Sequence, residues 1–244
     1  MTAEGNAASF GTYMVEHLRG CEARNADALD VVADRLLAAV RDGLRVHVTG
    51  TGHSSSLVLE TFYRAGGLAC VNPITHPGLI PLSGGIASTV LERSADLAEA
   101  LLAQAAPREG EVAVVFSSSG ANPLPVELAR GLRAAGVWVV AVSSLPHLRA
   151  APARAGIKLD DIADEVLDTG VPVGDAAFDS DGARTAPLSS LSSIFLWNLL
   201  LARIAERARS EGVELPLWTS ANVAGGDERN ADLLAKYRPI IPLL

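Results

Sequence analysis

Cysteine is scarce in this 244-residue chain, with Cys21 and Cys70 the two present. Two thiols make no disulfide framework and have no metal spacing, so ordinary reduced cysteines are expected. A basic excess is missing too: Lys and Arg number 20 against 28 Asp and Glu, a net charge of −8. An acidic chain without a Lys/Arg run is a poor match for nucleic acid or an anionic membrane surface. The most apolar run, Ile194–Ala202, is interrupted by Asn198 and is too short to span a bilayer. The first residues lack a basic stretch followed by an apolar one, so secretion is disfavoured and a cytoplasmic protein is expected. No set of His, Asp and Glu has metal-ligand spacing, so neither a metal nor a cofactor is expected. The chain does have 49% hydrophobic residues against 20% charged, which suits a large core and argues against disorder.

Leu29, Val32, Ala33, Leu36, Leu37 and Val40 repeat at helical spacing and predict an amphipathic helix over Asn25–Asp42. A shorter helix with Phe10, Met14 and Leu18 on one face precedes it. Short β-branched runs then predict strands at Arg45–Gly50, Leu68–Val71, Glu111–Ser117, Val137–Ser143 and Glu165–Asp168. Between them, helices are expected at Ser55–Ala65, Glu92–Ala105 and Pro123–Ala135, the last with Pro123 at its first position and Asn122 as N-cap. Alternation of apolar strands and helices means a parallel sheet covered on both faces. Asp179-Ser180-Asp181-Gly182 reads as the turn of a small hairpin. A long helix follows over Ser189–Arg209, then a tail of little periodicity. One domain is expected.

In an open parallel sheet, ligands sit beyond the carboxyl ends of the strands. Two such ends are unusual here: Gly50-Thr51-Gly52-His53-Ser54-Ser55-Ser56, and Ser117-Ser118-Ser119-Gly120-Ala121-Asn122-Pro123. Each offers glycine for close backbone approach, hydroxyl donors and the N-terminus of an expected helix. Such a loop can hold a phosphate without Lys or Arg. Each could also merely cap its helix, but two in one sheet favour an anion site. A dinucleotide fingerprint fails, because Ser55 stands where its third glycine belongs. A Walker loop fails for want of Gly-Lys-Ser/Thr. A nucleophile elbow fails because Gly52-His53-Ser54 continues with Ser55-Ser56.

The Gly-x-Gly-x-Ser and Ser-x-Ser-Gly pair resembles the sugar isomerase (SIS) domain family. That family includes phosphoheptose isomerase and N-acetylmuramic acid 6-phosphate etherase. The resemblance covers a core of about residues 31–211, with a helical extension over 1–30 and a tail over 212–244. The block over 50–69 and the tail over 219–230 resemble a less characterised, stand-alone branch. The resemblance implies an α/β three-layer sandwich of the flavodoxin-like type with added N-terminal helices, and a homodimer or higher homo-oligomer. It also implies a phosphosugar as ligand, with the phosphate held by Gly52, Ser54, Ser55, Ser117, Ser118, Ser119, Gly120 and Asn122. Asn122 departs from the family's usual Thr or Ser, though its amide can donate.

Aldose–ketose isomerisation needs a base that moves a proton between C1 and C2. Several SIS isomerases use a Glu at the position where this chain has Arg64. Glu60, one turn earlier, is either that base or an ion-pair partner of Arg64. The family's late-helix His has no counterpart in Ser189–Arg209. His53 is the other candidate catalytic residue, or else a loop residue that orients a neighbour. His76 and Asp175 are loop residues of open direction, and His17 and His47 are expected to pack. Asn222, Asp227 and Glu228 in the tail form either a cover for the site or a connector. Three functions follow from the resemblance: a phosphosugar isomerase, an eliminating enzyme of the etherase kind, or a non-catalytic phosphosugar sensor.

Overall fold

A strand buried on both faces reads as a nearly continuous apolar run, and Val112–Phe116, buried throughout at the middle of a five-stranded sheet, is such a run. The computed structural model describes residues 3–4 and 7–244. In chain order the elements are β1 (Ala3–Glu4), α1 (Ala7–Arg24), α2 (Ala26–Arg41), β2 (Val46–Gly50), α3 (Ser55–Thr61), β3 (Val71–Ile74), α4 (Gly85–Glu92) and α5 (Ala98–Ala105). Then come β4 (Val112–Phe116), α6 (Pro123–Ala134), β5 (Trp138–Ser143), α7 (Leu145–Ala150) and β6 (Glu165–Asp168). The chain continues through β7 (Ala176–Ser180), β8 (Ala183–Pro187), α8 (Ser189–Glu211) and α9 (Gly226–Tyr237). The main sheet is parallel throughout, in the order β3-β2-β4-β5-β6. The chain runs outward from β2 to β3, then returns across β2 to β4. The ends of β2 and β4 therefore flank the switch point where open sheets bind ligands.

Alternate residues of β4 and β5 feed two cores, as the period-2 geometry requires. Val46, Val48, Val112, Val114, Phe116, Val140 and Val142 pack with α2, α8 and residues of α9. Ala113, Val115, Val139 and Ala141 pack with α5 and α6 on the other face. On α2 the six residues of the helical pattern are all buried. Each fully buried Leu or Val contributes about 1.5–3 kcal/mol, so the two faces rather than the loops hold the layers together.

Several expectations are corrected in their bounds; the helix expected over Ser55–Ala65 ends at Thr61. The first helix is 18 residues, not a short one. The second strand begins at Val71 instead of ending there, and it contains Pro73. Proline lacks the N–H for a central ladder, but β3 lies at the sheet edge and tolerates it. The segment before β3 is drawn away from the sheet: Leu68 bridges Leu217, and Gly66 and Trp218 are linked backbone to backbone. The helix expected over Glu92–Ala105 begins at Ala98 as α5, while Glu92 is the last residue of a separate helix, α4; between them Asp96 N–H donates to Ser94 Oγ. Finally, α9 begins at Gly226, so Asp227 and Glu228 lie in a helix and not in an aperiodic tail.

The hairpin is present: β7 and β8 pair antiparallel across Asp181 and Gly182. Both turn residues have positive φ, 51° and 84°, as a type I′ Asp-Gly turn demands. β1 adds to β7 in parallel.

At the amino ends of the strands lies a buried ionic cluster. Arg45 Nε donates to Glu111 Oε1 at 2.7 Å, and His47 Nε2 to Glu111 Oε2 at 2.7 Å. Asn72 Nδ2 donates to His47 Nδ1, which leaves the Nε2 proton for Glu111. Arg45 also donates to the carbonyls of Ala105, Ala106 and Ile240, tying the C-terminal segment to the sheet. Burial pushes the Glu111 carboxyl up, but bonds from His47 and Arg45 outweigh it and hold the group down at about 2.

Candidate functional site

The cleft at the switch point has a volume of about 230 Å³ and is walled largely by hydroxyl-bearing residues. From the β2 end come Thr51, His53 and Ser54; from the β4 end come Ser117, Ser118, Ser119 and Asn122. No Lys or Arg side chain lines it among the described residues.

The β4 loop is fixed through its carbonyls. Ser143 Oγ donates to Ser117 O, Ser144 N–H to Ser118 O, Leu159 N–H to Gly120 O and Arg154 N–H to Ala121 O. Ser117 Oγ accepts from Gly120 N–H, closing the turn. With the carbonyls engaged, the N–H groups of Ser118, Ser119 and Ala121 have no acceptor among the described residues. The hydroxyls of Ser54, Ser118 and Ser119 are likewise uncommitted there. These neutral donors, beside the start of α6, match what an oxyanion needs. Gly120, at φ 57°, has a different task from the ligand-holding one expected: a Cβ there would lie 2.4 Å from Leu148 Cδ2. Its lack of a side chain lets the loop pack on α7.

Other expectations are revised by position. Ser55 is buried, and its hydroxyl donates to Leu79 O and Gly50 O, so it braces the loop instead of facing the cleft. Asn122 does not cap α6 with its side chain. Its Oδ1 accepts from Arg154 at 2.8 Å, leaving Nδ2 as a donor at the cleft. Glu60 is paired with Arg64 and lies outside the cleft lining. The helix ends at Thr61, and Tyr63 has φ 46°, so Arg64 reaches back to Glu60 from a turn. Asn222, Asp227 and Glu228 do not line this cleft of their own chain. Their segment is anchored through Trp218 to Gly66 and Gly67, ahead of β3 and at the opposite end of the sheet. His53 does line the cleft, with an exposed ring.

Four side chains enter from elements far apart in sequence. Glu92 comes from the end of α4, and its Oε2 accepts from Thr51 Oγ1 at 3.1 Å. Asp175, at φ 65°, accepts at Oδ1 from Leu188 and Ser189 N–H and at Oδ2 from Ser189 Oγ, holding the start of α8. Ser190 adds a further hydroxyl. His147 Nε2 accepts from Gly174 N–H at 2.9 Å, which puts the ring proton on Nδ1, a buried atom without a protein partner among the described residues. Burial pushes the His147 pKa below its ordinary value against a smaller pull from Asp175, so the ring is neutral at pH 7. The only sequence signal for these was a loop aspartate at 175; the others depend on where α4 ends and where α7 and α8 begin. No group of three or more His, Cys, Asp or Glu able to hold a metal occurs among the described residues. No helix there is long and apolar enough to cross a membrane.

A family model described as a SIS domain matches residues 9–144. A UPF0309 protein of Listeria innocua is 35% identical over 90% of each chain. Another from Brucella anthropi is 35% identical over 95% of this chain and 96% of its own. Among solved structures, a phosphoheptose isomerase from Neisseria gonorrhoeae superposes with a TM-score of 0.53 at 15% identity, covering 81% of this chain and 96% of that one. The NanR protein of Vibrio vulnificus, solved with ManNAc-6P, gives 0.52 at 13% identity, covering 98% and 70%. At those identities the likeness is one of fold.

Proposed function

The chain belongs to the SIS-domain family, and from that premise we propose that it binds a sugar phosphate in the switch-point cleft and isomerises it by proton transfer. The observation that carries this reading is the pair of hydroxyl-rich strand ends converging on one cleft with uncommitted N–H and O–H donors. The phosphate sits against Ser118, Ser119, the Ala121 amide, Asn122 Nδ2 and Ser54. The sugar extends toward His53, Glu92 and His147. His53, exposed in the cleft lining, protonates the ring oxygen as the sugar opens.

The fold of the two solved neighbours and the names they carry support a phosphosugar ligand. The exposed apolar side chains of Leu82, Ile86 and Val90, on and before α4, support a homo-oligomer. A sensor that binds without turnover is the second reading. It is favoured by the pairing of Glu60 with Arg64, which removes the carboxylate nearest the family's base position.

The test is calorimetric titration with hexose, pentose, heptose and amino-sugar phosphates, followed by NMR of each binder for conversion. Ser119→Ala removes one hydrogen bond to a charged group, worth about 1–3 kcal/mol, and is expected to weaken binding roughly 5- to 150-fold. Equal affinity in the wild type and this variant would take the phosphate off the β4 loop.

A further inference from the structure

We propose that Glu92 is the catalytic base of the isomerisation, a role that rests on the sugar-phosphate reading above. Three carboxylates come into question around the cleft, and their partners separate them. Glu60 is neutralised by Arg64 and lies outside the lining. Asp175 faces the cleft, but both of its oxygens are engaged at the start of α8. Glu92 lines the cleft, forms no ion pair among the described residues, and is bonded there through Oε2 alone. Its Oε1 is the uncommitted carboxylate oxygen.

The β2 loop is shaped around this side chain. Thr51 Oγ1 donates to Oε2, and a Cβ on Gly52 would lie 2.9 Å from the same oxygen. Gly52, at φ 57°, thus leaves room for a carboxylate as well as meeting the backbone's own demand. The break between α4 and α5 makes Glu92 the last residue of its helix. Leu91 packs against Gly78, where a Cβ would be 2.8 Å from Leu91 Cδ1, so the helix end is held against the turn after β3. One oxygen fixed by a neutral donor and one left free is a suitable state for a general base.

With an open-chain aldose phosphate, Oε1 takes the proton from C2. The C–H electron pair forms the C1=C2 bond, and the carbonyl pair moves onto O1. A proton passes from O2 to O1. As the C2=O bond forms, the C1=C2 pair takes the proton back from Glu92 at C1. The ketose is released and the carboxylate is restored, with no oxidant, reductant or co-reactant required.

The experiment uses the full chain in deuterated water with the same panel of hexose, pentose, heptose and amino-sugar phosphates, reading conversion and deuterium entry at C1 and C2 by NMR beside calorimetric affinity. Glu92→Gln keeps size and a group that can pair with Thr51. It is expected to bind within about threefold of wild type, while turnover and deuterium entry fall at least about a hundredfold. Glu92→Asp, which keeps the base on a shorter arm, is expected to recover part of the exchange. Conversion by Glu92→Gln within about tenfold of wild type would overturn the assignment and leave the isomerase reading intact. A wild-type protein that binds the panel but neither converts any member nor takes up deuterium would overturn it together with the isomerase reading, leaving binding. Failure of the wild type to bind any member would bring down the sugar-phosphate reading, and the assignment with it.

Discussion

Glu111→Ala is expected to destabilise the protein by about 3–5 kcal/mol, the usual consequence of removing one partner from a buried charge pair. For a chain of this size that is roughly 6–20 °C in melting temperature. The loss has a structural origin: Arg45 and His47 are 5% and 0% exposed and would face an empty site. Arg108 N–H also donates to Glu111 Oε2 and would lose its acceptor. The sign of the pH dependence follows from the depressed carboxyl, at about 2 against an ordinary 4.5. The folded state binds this proton less readily than the unfolded one. The contribution is therefore complete above about pH 4.5 and is lost as pH falls toward 2. Thermal unfolding of wild type and variant between pH 7 and 2.5 is expected to show the difference shrinking over the acid limb. A variant within about 1 kcal/mol of wild type at pH 7 would mean that the cluster is relaxed or hydrated. Phosphosugar affinity is expected to be retained where the variant is folded, because the cluster lies at the far end of the sheet from the cleft.

Gly50→Ala is expected to act at the opposite end. An added Cβ would lie 2.5 Å from Ser54 O and 2.9 Å from Ser54 C, both backbone atoms that no rotamer change can move. The turn Thr51–Ser54 must open, displacing Thr51, Ser54 and the Thr51–Glu92 bond together. Overpacking of this kind costs about 1–3 kcal/mol of stability. Sugar-phosphate affinity is expected to fall by more than about tenfold, since several positioned donors are lost at once. Gly11→Ala, where nothing lies within 4 Å of the added atom, is the control and is expected to leave binding alone. Measured affinities for the two variants decide the matter. Normal binding by Gly50→Ala would show that the β2 loop does not contact the ligand.

The cleft's two hydroxyl loops were legible because they depend on local features: apolar runs of strand length, each followed by glycine and serine. The amphipathic pattern of α2 and the Asp181-Gly182 turn were legible for the same reason. Pro73 hid β3, since a proline reads as a breaker until the strand is known to lie at an edge. The break after Glu92 was hidden as well: Ala and Leu continue on both sides, and a short Ser94–Asp96 turn gives a weak signal against that background. Glu92, His147 and Ser189 could not be placed beside the loops before the packing of α4, α7 and α8 was known. Helical spacing drew attention to Glu60, yet the chain leaves the helix at Thr61, and Arg64 holds that carboxylate elsewhere.

The phosphate of a sugar phosphate is expected to be held by the neutral donors of the β4 loop. Amide chemical-shift mapping of the wild-type protein tests it most directly, with a sugar phosphate, the same sugar without phosphate, and inorganic phosphate added in turn. The predicted result is that the Ser118, Ser119 and Ala121 amides move with both phosphate-bearing ligands and stay in place with the plain sugar. Shifts confined to other surfaces, such as the groove lined by Leu215, Arg229 and Lys236, or an equal response to the plain sugar, would contradict it.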